Sequence, residues 1–384
     1  MSASKHPLEN HPHHAFTALV AALATLLSST AAAAPAVKVY GRIDNSISIT
    51  KYHDSGDVTQ RLNSGYIGGS RFGIRATERL SSDTKVEVVL ENGFNADDGT
   101  FVTDGTLFSR QSTLALENKT WGEIAFGRSG KVMSGSNAYT RINGFTPFAV
   151  LWGDAGLLFY GKGARINNGI YYQSPELSNF TLTASGSLST SDDEVAPWSA
   201  NERYFGATLD YKREHWGVLL GADRTVLAAE DRAAGSDNPT TTLLMGYVDA
   251  GEVRLYAAWQ HAENLSRLSA LKTQKTETGT TIKVVNASAN NFMLGAKAPL
   301  LGGTLRLSAL YSANRNEGNF RRLSTNRADY WALGLGYEYP LSKSTRLYGA
   351  LTHIEGRHAL KHATSASEGD LNRSSMTFGL SHTF

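Results

Sequence analysis

The sequence predicts an all-β chain, a transmembrane antiparallel barrel of sixteen strands. Three observations carry that expectation: an alternation of period two after the first few dozen residues, connections that alternate short and long, and an amphipathic last strand ending in Phe384. In an extended chain successive side chains face opposite sides, so such alternation separates an apolar face from a polar one.

The first element, VKVYGRIDNSISITKY, sets Val37, Val39, Ile43, Ile47 and Ile49 against Lys38, Tyr40, Arg42, Asp44, Ser46 and Ser48. SRFGIRATERL follows, with Arg71, Gly73, Arg75 and Thr77 on one face and Phe72, Ile74 and Ala76 on the other. DTKVEVVLENGF then opposes Val86, Val88 and Leu90 to Lys85, Glu87 and Glu91. Later segments such as EVRLYAAWQHAE and ADYWALGLGYEYP repeat the pattern. Each has the signature of a strand with one apolar and one polar or small face. The segments fall at 37–52, 65–79, 84–95, 108–118, 120–128, 166–176, 178–190, 202–213, 214–227, 241–250, 252–263, 289–299, 302–314, 328–340, 342–356 and 373–384.

Tight joints such as RLSSDT, KREHW, DAGEV and PLLGG alternate with long polar connections such as EGRHALKHATSASEGDLNRS. Short turns on one rim and long loops on the other are the pattern of an outer-membrane barrel. A soluble sandwich is the competing architecture, but its outer face would carry frequent large charged residues and little glycine, whereas this chain has 37 glycines. Tyr66, Trp121, Tyr171, Tyr172, Trp216 and Tyr339 near strand ends fit interfacial aromatic girdles. Met376, Phe378, Leu380, His382 and Phe384 share one face of the closing strand.

The first 36 residues read as a secretory leader: Lys5 and a histidine cluster (His11, His13, His14), an apolar core over 15–29, and TAAAAPA, with cleavage expected after Ala33 or Ala36. The histidines lie in the part to be removed, which argues against a metal tract. After the leader no run approaches the roughly 20 apolar residues of a spanning helix. The formal charge of +2 and scattered basic residues argue against nucleic acid as a partner. With no cysteine, thiol chemistry and thiolate metal sites are excluded. Nothing in the chain calls for a cofactor.

The run from SRFGIRATERLSSDTKVEVVLENGFNADDGTF through LFSRQSTLALENKTWGEIAFGR resembles the β-proteobacterial branch of the Gram-negative porins. VKVYGRIDNSIS, NNGIYYQSPELSNFTLTASGS and GLSHTF extend the resemblance, which covers the first seven strands and the last well, and the others in style only. It implies a sixteen-stranded barrel over 37–384, a homotrimer in outer-membrane lipid, and a third loop, 129–164, folded inward to narrow the channel. It also implies passive diffusion of small hydrophilic solutes and ions rather than catalysis.

By motif, the resemblance places Arg42, Arg71, Arg110 and Arg165 on the wall at the constriction. Parity independently supports Arg42, Arg71 and Arg165, which stand opposite in phase to apolar neighbours, while the phase of Arg110 is ambiguous. The acidic segment usual in the third loop is absent: NGFTPFAVLWGD offers only Asp154, while Lys131, Arg141 and Lys162 are basic. Arg75, Glu87 and Glu91 share the lumen phase, Lys131 and Arg141 are expected to face the lumen with them, and the two glutamates offer partial compensation. The excess of positive charge points to a channel favouring anions.

Other readings are weaker. GLLFYGKG, 156–163, nearly fits a phosphate loop, but Gly163 stands where Ser or Thr is needed and no helical pattern follows. An outer-membrane hydrolase would need a nucleophile beside a base, and the mature histidines have no evident serine partner. A channel selective for organic acids, phosphate or sugars is the closer alternative, and Trp152, Phe159 and Tyr160 could begin an aromatic path for sugars.

Overall fold

A computed structural model describes residues 35–135, 138–149, 152–156, 164–191, 194–233, 237–264, 273–275, 281–283, 288–315, 327, 329–357, 364–365 and 369–384. The expected leader therefore lies almost wholly outside the described residues, as do Phe159, Tyr160 and Lys162.

The wall begins with β1 (Ala36–Tyr52), β2 (Val58–Ser64), β3 (Arg71–Arg79), β4 (Thr84–Gly93), β5 (Gln111–Asn118) and β6 (Gly122–Gly130). It continues with β7 (Arg165–Gln173), β8 (Phe180–Ser187), β9 (Arg203–Lys212), β10 (Trp216–Val226), β11 (Thr240–Ala250) and β12 (Val253–Glu263). After β13 (Thr273–Lys275) and β14 (Thr281–Lys283) come β15 (Ser288–Leu300), β16 (Gly303–Arg315), β17 (Tyr330–Pro340) and β18 (Thr345–Gly356). β19 (Thr364–Ser365), β20 (Gly369–Asp370) and β21 (Arg373–Thr383) complete the chain.

Seventeen of these segments form one antiparallel sheet. β2 pairs with one half of β1 (Asn45↔Ser64 to Lys51↔Val58) and β3 with the other (Ala36↔Thr77 to Arg42↔Arg71), so the two are one interrupted wall strand. The result is a closed barrel of sixteen strands. Closure runs from Arg42↔Thr383 to Tyr52↔Arg373 between β1 and β21, and Gly41 and Phe384 exchange backbone hydrogen bonds of 3.0 and 3.1 Å at its end. β13, β14, β19 and β20 form a separate small sheet that ties the connection 264–287 to the connection 357–372.

Most strand ends fall within three residues of expectation, and the second strand departs furthest. The second strand is broken at GYIGGS, 65–70, where Gly65 takes a φ of +78° that side-chain-bearing residues rarely adopt, and the wall resumes at Arg71. The extra segment β2 carries a polar TQRLNS sequence that periodicity did not mark as a strand.

Burial follows the alternation. Val37, Val39, Ile43, Ile47 and Ile49 are exposed outward, while Asp44 and Ser46 between them are buried inward. Phe126, Leu220, Leu244, Leu294, Leu333, Leu351 and Phe378 extend the apolar exterior around the wall. Trp216 and Tyr339 are exposed near strand ends, as a girdle requires, but Tyr66 and Tyr171 are not girdle residues. Tyr171 is 0% exposed, at an inward position opposite Ala125 and Ser185, where it stacks on Tyr139. Tyr66 sits in the strand interruption, where phase has no meaning, and stacks on Tyr348.

Deleting Phe384 removes the two closing hydrogen bonds, each worth about 1 kcal/mol net. The truncated barrel should lose about 2 kcal/mol of stability, read as a lower urea midpoint of tryptophan fluorescence.

Candidate functional site

The segment between β6 and β7 packs its buried apolar residues against the inward face of the wall. Val132, Met133, Ile142 and Phe145 are at most 4% exposed, clustered with Leu219, Leu243, Met245, Met293 and Leu310. These wall residues occupy inward positions that a water-filled barrel would make polar, and the segment covers them. Farther along, Phe148 and Trp152 pack with Ile67, Tyr348 and Ala350. Gly295 and Gly336 permit that approach: a Cβ there would lie 2.6 Å from Pro147 and Phe148 respectively.

Polar contacts fix the segment at intervals. Arg141 donates to Asp210 through Nε and Nη2 at 2.7 and 3.1 Å, and Asp210 is 1% exposed. Arg306 Nη1 donates to the Pro147 carbonyl at 2.6 Å, and the Trp152 amide donates to the Tyr66 carbonyl at 2.9 Å. Lys131 Nζ lies 3.3 Å from Thr225 Oγ1 and over the Tyr204 ring, and burial pushes its ammonium below the usual lysine range. Lys131 and Arg141 therefore hold the segment in place, whereas the sequence reading had them facing water. The backbone of Asp154 lies in the 3₁₀ turn Gly153–Gly156, and its side chain is outside the described structure.

Elsewhere on the inner wall, the arginines gather. Arg42 and Arg71 are directly opposed between β1 and β3. Glu91 bridges Arg110 Nε at 2.6 Å and Arg71 Nε at 3.5 Å, and it accepts from Tyr40 Oη at 3.0 Å. Arg110 stands just before β5, and its contact with Glu91 resolves the phase that sequence left open. Arg165 Nε donates to the Arg110 carbonyl at 3.1 Å. Arg128, which the sequence reading did not select, donates to the Ser109 carbonyl at 3.0 Å and to Asn167.

Parity does not account for Arg165. The β6–β7 register shifts between Gly127 and Ser129, and Asn168 has a φ of +49°. This bulge inverts the phase, so that Ile166 is buried inward, and Arg165 enters the cluster from the strand end. Arg75 is set apart: its Nη1 contacts Glu87 Oε1 at 2.5 Å. Glu87 and Glu91 are thus both spent on arginine, and Glu91, paired with Arg71 and Arg110, is the one ion-paired carboxylate within the group of five arginines among the described residues.

An apolar exterior, a closed hydrogen-bonded wall and a polar, arginine-lined interior define a channel of the bacterial outer membrane. The chain belongs to the Gram-negative porins, whose family model matches residues 15–359. It is 29% identical over 351 residues to outer membrane porin protein 32 of Delftia acidovorans, covering 88% of this chain and 89% of that protein. An outer membrane porin protein of Bordetella pertussis is 26% identical over 390 residues, covering 92% of this chain and 97% of that one. Among solved structures, an anion-selective porin from Comamonas acidovorans superposes with a TM-score of 0.68 at 22% identity, over 91% of this chain and all of that one. OmpF of Salmonella typhi, in complex with daunomycin, gives a TM-score of 0.62 at 14% identity, over 91% of this chain and 97% of that one. The protein is an outer-membrane porin for passive diffusion, and its relatives are channels, not enzymes.

Replacing Arg141 by alanine removes the bidentate partner of Asp210 and leaves it only Lys212 at 3.6 Å, a loss of roughly 1.5–3 kcal/mol for hydrogen bonds to a charged group. Limited proteolysis of the R141A barrel should cut within 131–156 faster than in the parent.

Proposed function

We propose that this porin favours anions and that its segment 129–164 narrows the channel opposite the arginine cluster. The carrying observation is the imbalance at that cluster: Arg42, Arg71, Arg110, Arg128 and Arg165 against Glu91 alone as an ion-paired carboxylate among the described residues. In a narrow aqueous gap between low-dielectric walls, fixed charges of one sign concentrate the opposite ion. Arg42 makes no ion pair among the described residues, so its charge is available to the lumen. The name of the Comamonas acidovorans protein, an anion-selective porin, supports the same reading.

A homotrimer is the proposed assembly, supported by the trimer form of OmpT of Vibrio cholerae, which matches with a TM-score of 0.59 at 15% identity. Removal of a leader after Ala33 or Ala36 is proposed for maturation. The reading as a sugar-selective channel loses one member of its aromatic path, because Trp152 is 4% exposed and packed against Phe148, Tyr66 and Tyr348.

In a planar bilayer under a potassium chloride gradient, the reversal potential should show chloride preference. Arg71→Gln should lower the chloride-to-potassium permeability ratio roughly two- to five-fold. A cation preference in the unaltered protein would overturn the charge reading.

A further inference from the structure

A second set of cations lines the wall near the tight-turn rim. Arg254 is directly opposite Lys297 between β12 and β15, and Lys297 is directly opposite Arg306 between β15 and β16. All three take the inward phase, shared with buried Tyr256, Met293 and Leu310 respectively. Like charges set directly opposite on one sheet face repel, so three in line weaken the wall that carries them.

Their compensation is incomplete. Asp249 takes Arg254 through two hydrogen bonds of 2.6 and 2.7 Å. Glu338 is shared between Arg306 at 3.4 Å and Arg346 at 3.0 Å. Lys297 is half-buried and makes no ion pair among the described residues. The Arg254 and Arg346 side chains keep 36% and 33% of their surface exposed.

The set is distinct in height from the first cluster. Lys297 and Arg306 each stand three residues from the ends of β15 and β16 at their tight turn, and Arg254 is the second residue of β12. Arg71 stands instead at the break within the β2–β3 wall strand, eight residues from the tight-turn end of β3, and Arg110 and Arg165 at the long-loop ends of β5 and β7. Pro147 packs over Gly295, two residues from Lys297 on the same face, and its carbonyl accepts from Arg306, so the second set borders the β6–β7 segment. Arg42 lies within electrostatic reach of both Arg110 and Arg346 and links the two levels.

We propose that Arg254, Lys297, Arg306 and Arg346 form a second anion station at the tight-turn mouth, suited to small oxyanions of two or more charges. Neighbouring strands lie about 4.8 Å apart, a spacing that lets two adjacent cations engage two charged oxygens of one dianion. A monovalent ion engages only one of them. The station rests on the anion-path reading above and adds to it a preference for charge number and a sidedness.

The test uses the purified full-length channel, inserted from one chamber so that all copies share an orientation, carrying chloride current. Succinate or inorganic phosphate is added to one side at a time, with acetate as the monovalent control. Block from the tight-turn side should need roughly three- to ten-fold less dianion than block from the long-loop side. Lys297→Gln should abolish that difference while leaving block from the other side unchanged, and Arg346→Gln provides an independent second variant. Equal block from both sides that Lys297→Gln does not alter, or acetate blocking as well as succinate, would overturn the station. A cation-selective reversal potential in the unaltered protein would instead overturn the anion reading itself, so the two failures are separable.

Discussion

Backbone amides and carbonyls have no partner in hydrocarbon, and a sheet that crosses a membrane must therefore satisfy every one of them by closing on itself. In this porin the seam is the β1–β21 ladder, with Phe384 completing it against Gly41. Everything else depends on that closure. It fixes which phase of each strand meets lipid and which meets the interior, and so decides that Arg42, Arg71 and Glu91 share one enclosed space.

Within that enclosure the sequence solves two opposing demands. Arginine needs water or a carboxylate, while the segment after β6 needs apolar surface to dock on. The wall divides them by region: β1 and β3 to β7 carry the guanidinium cluster, and β10 to β16 present Leu219, Leu243, Met245, Met293 and Leu310 to Ile142 and Phe145. The segment thereby docks on the apolar part of the inner wall and leaves the arginine part to polar partners.

The wall was legible because its signal is local and repeated: period two, with a turn at each reversal, places every expected strand near an observed one. What escaped was whatever broke the period. The bulge beside Gly127 and Asn168 inverted the phase of β7, so Arg165 joined the cluster for a reason parity did not supply, and Arg128 was missed for the same reason. Lys131 and Arg141 looked like channel charges because their partners Thr225 and Asp210 lie 94 and 69 residues away, a pairing only the closed barrel creates. One signal was available: inward-phase leucine and methionine at 219, 243, 245, 293 and 310 already marked an apolar docking strip inside a polar wall.

The inward segment is anchored to β9 through Asp210, to β16 through Arg306 and to the broken second strand through Tyr66. Those attachments lie on well-separated staves of the cylinder, so the segment acts as an internal tie-rod. A hollow sheet squeezed by its surrounding bilayer flattens most readily into an ellipse, and a strut fixed at several points of the circumference resists that mode. The same attachments that seat the segment inside the wall therefore also brace the roundness of the tube around it.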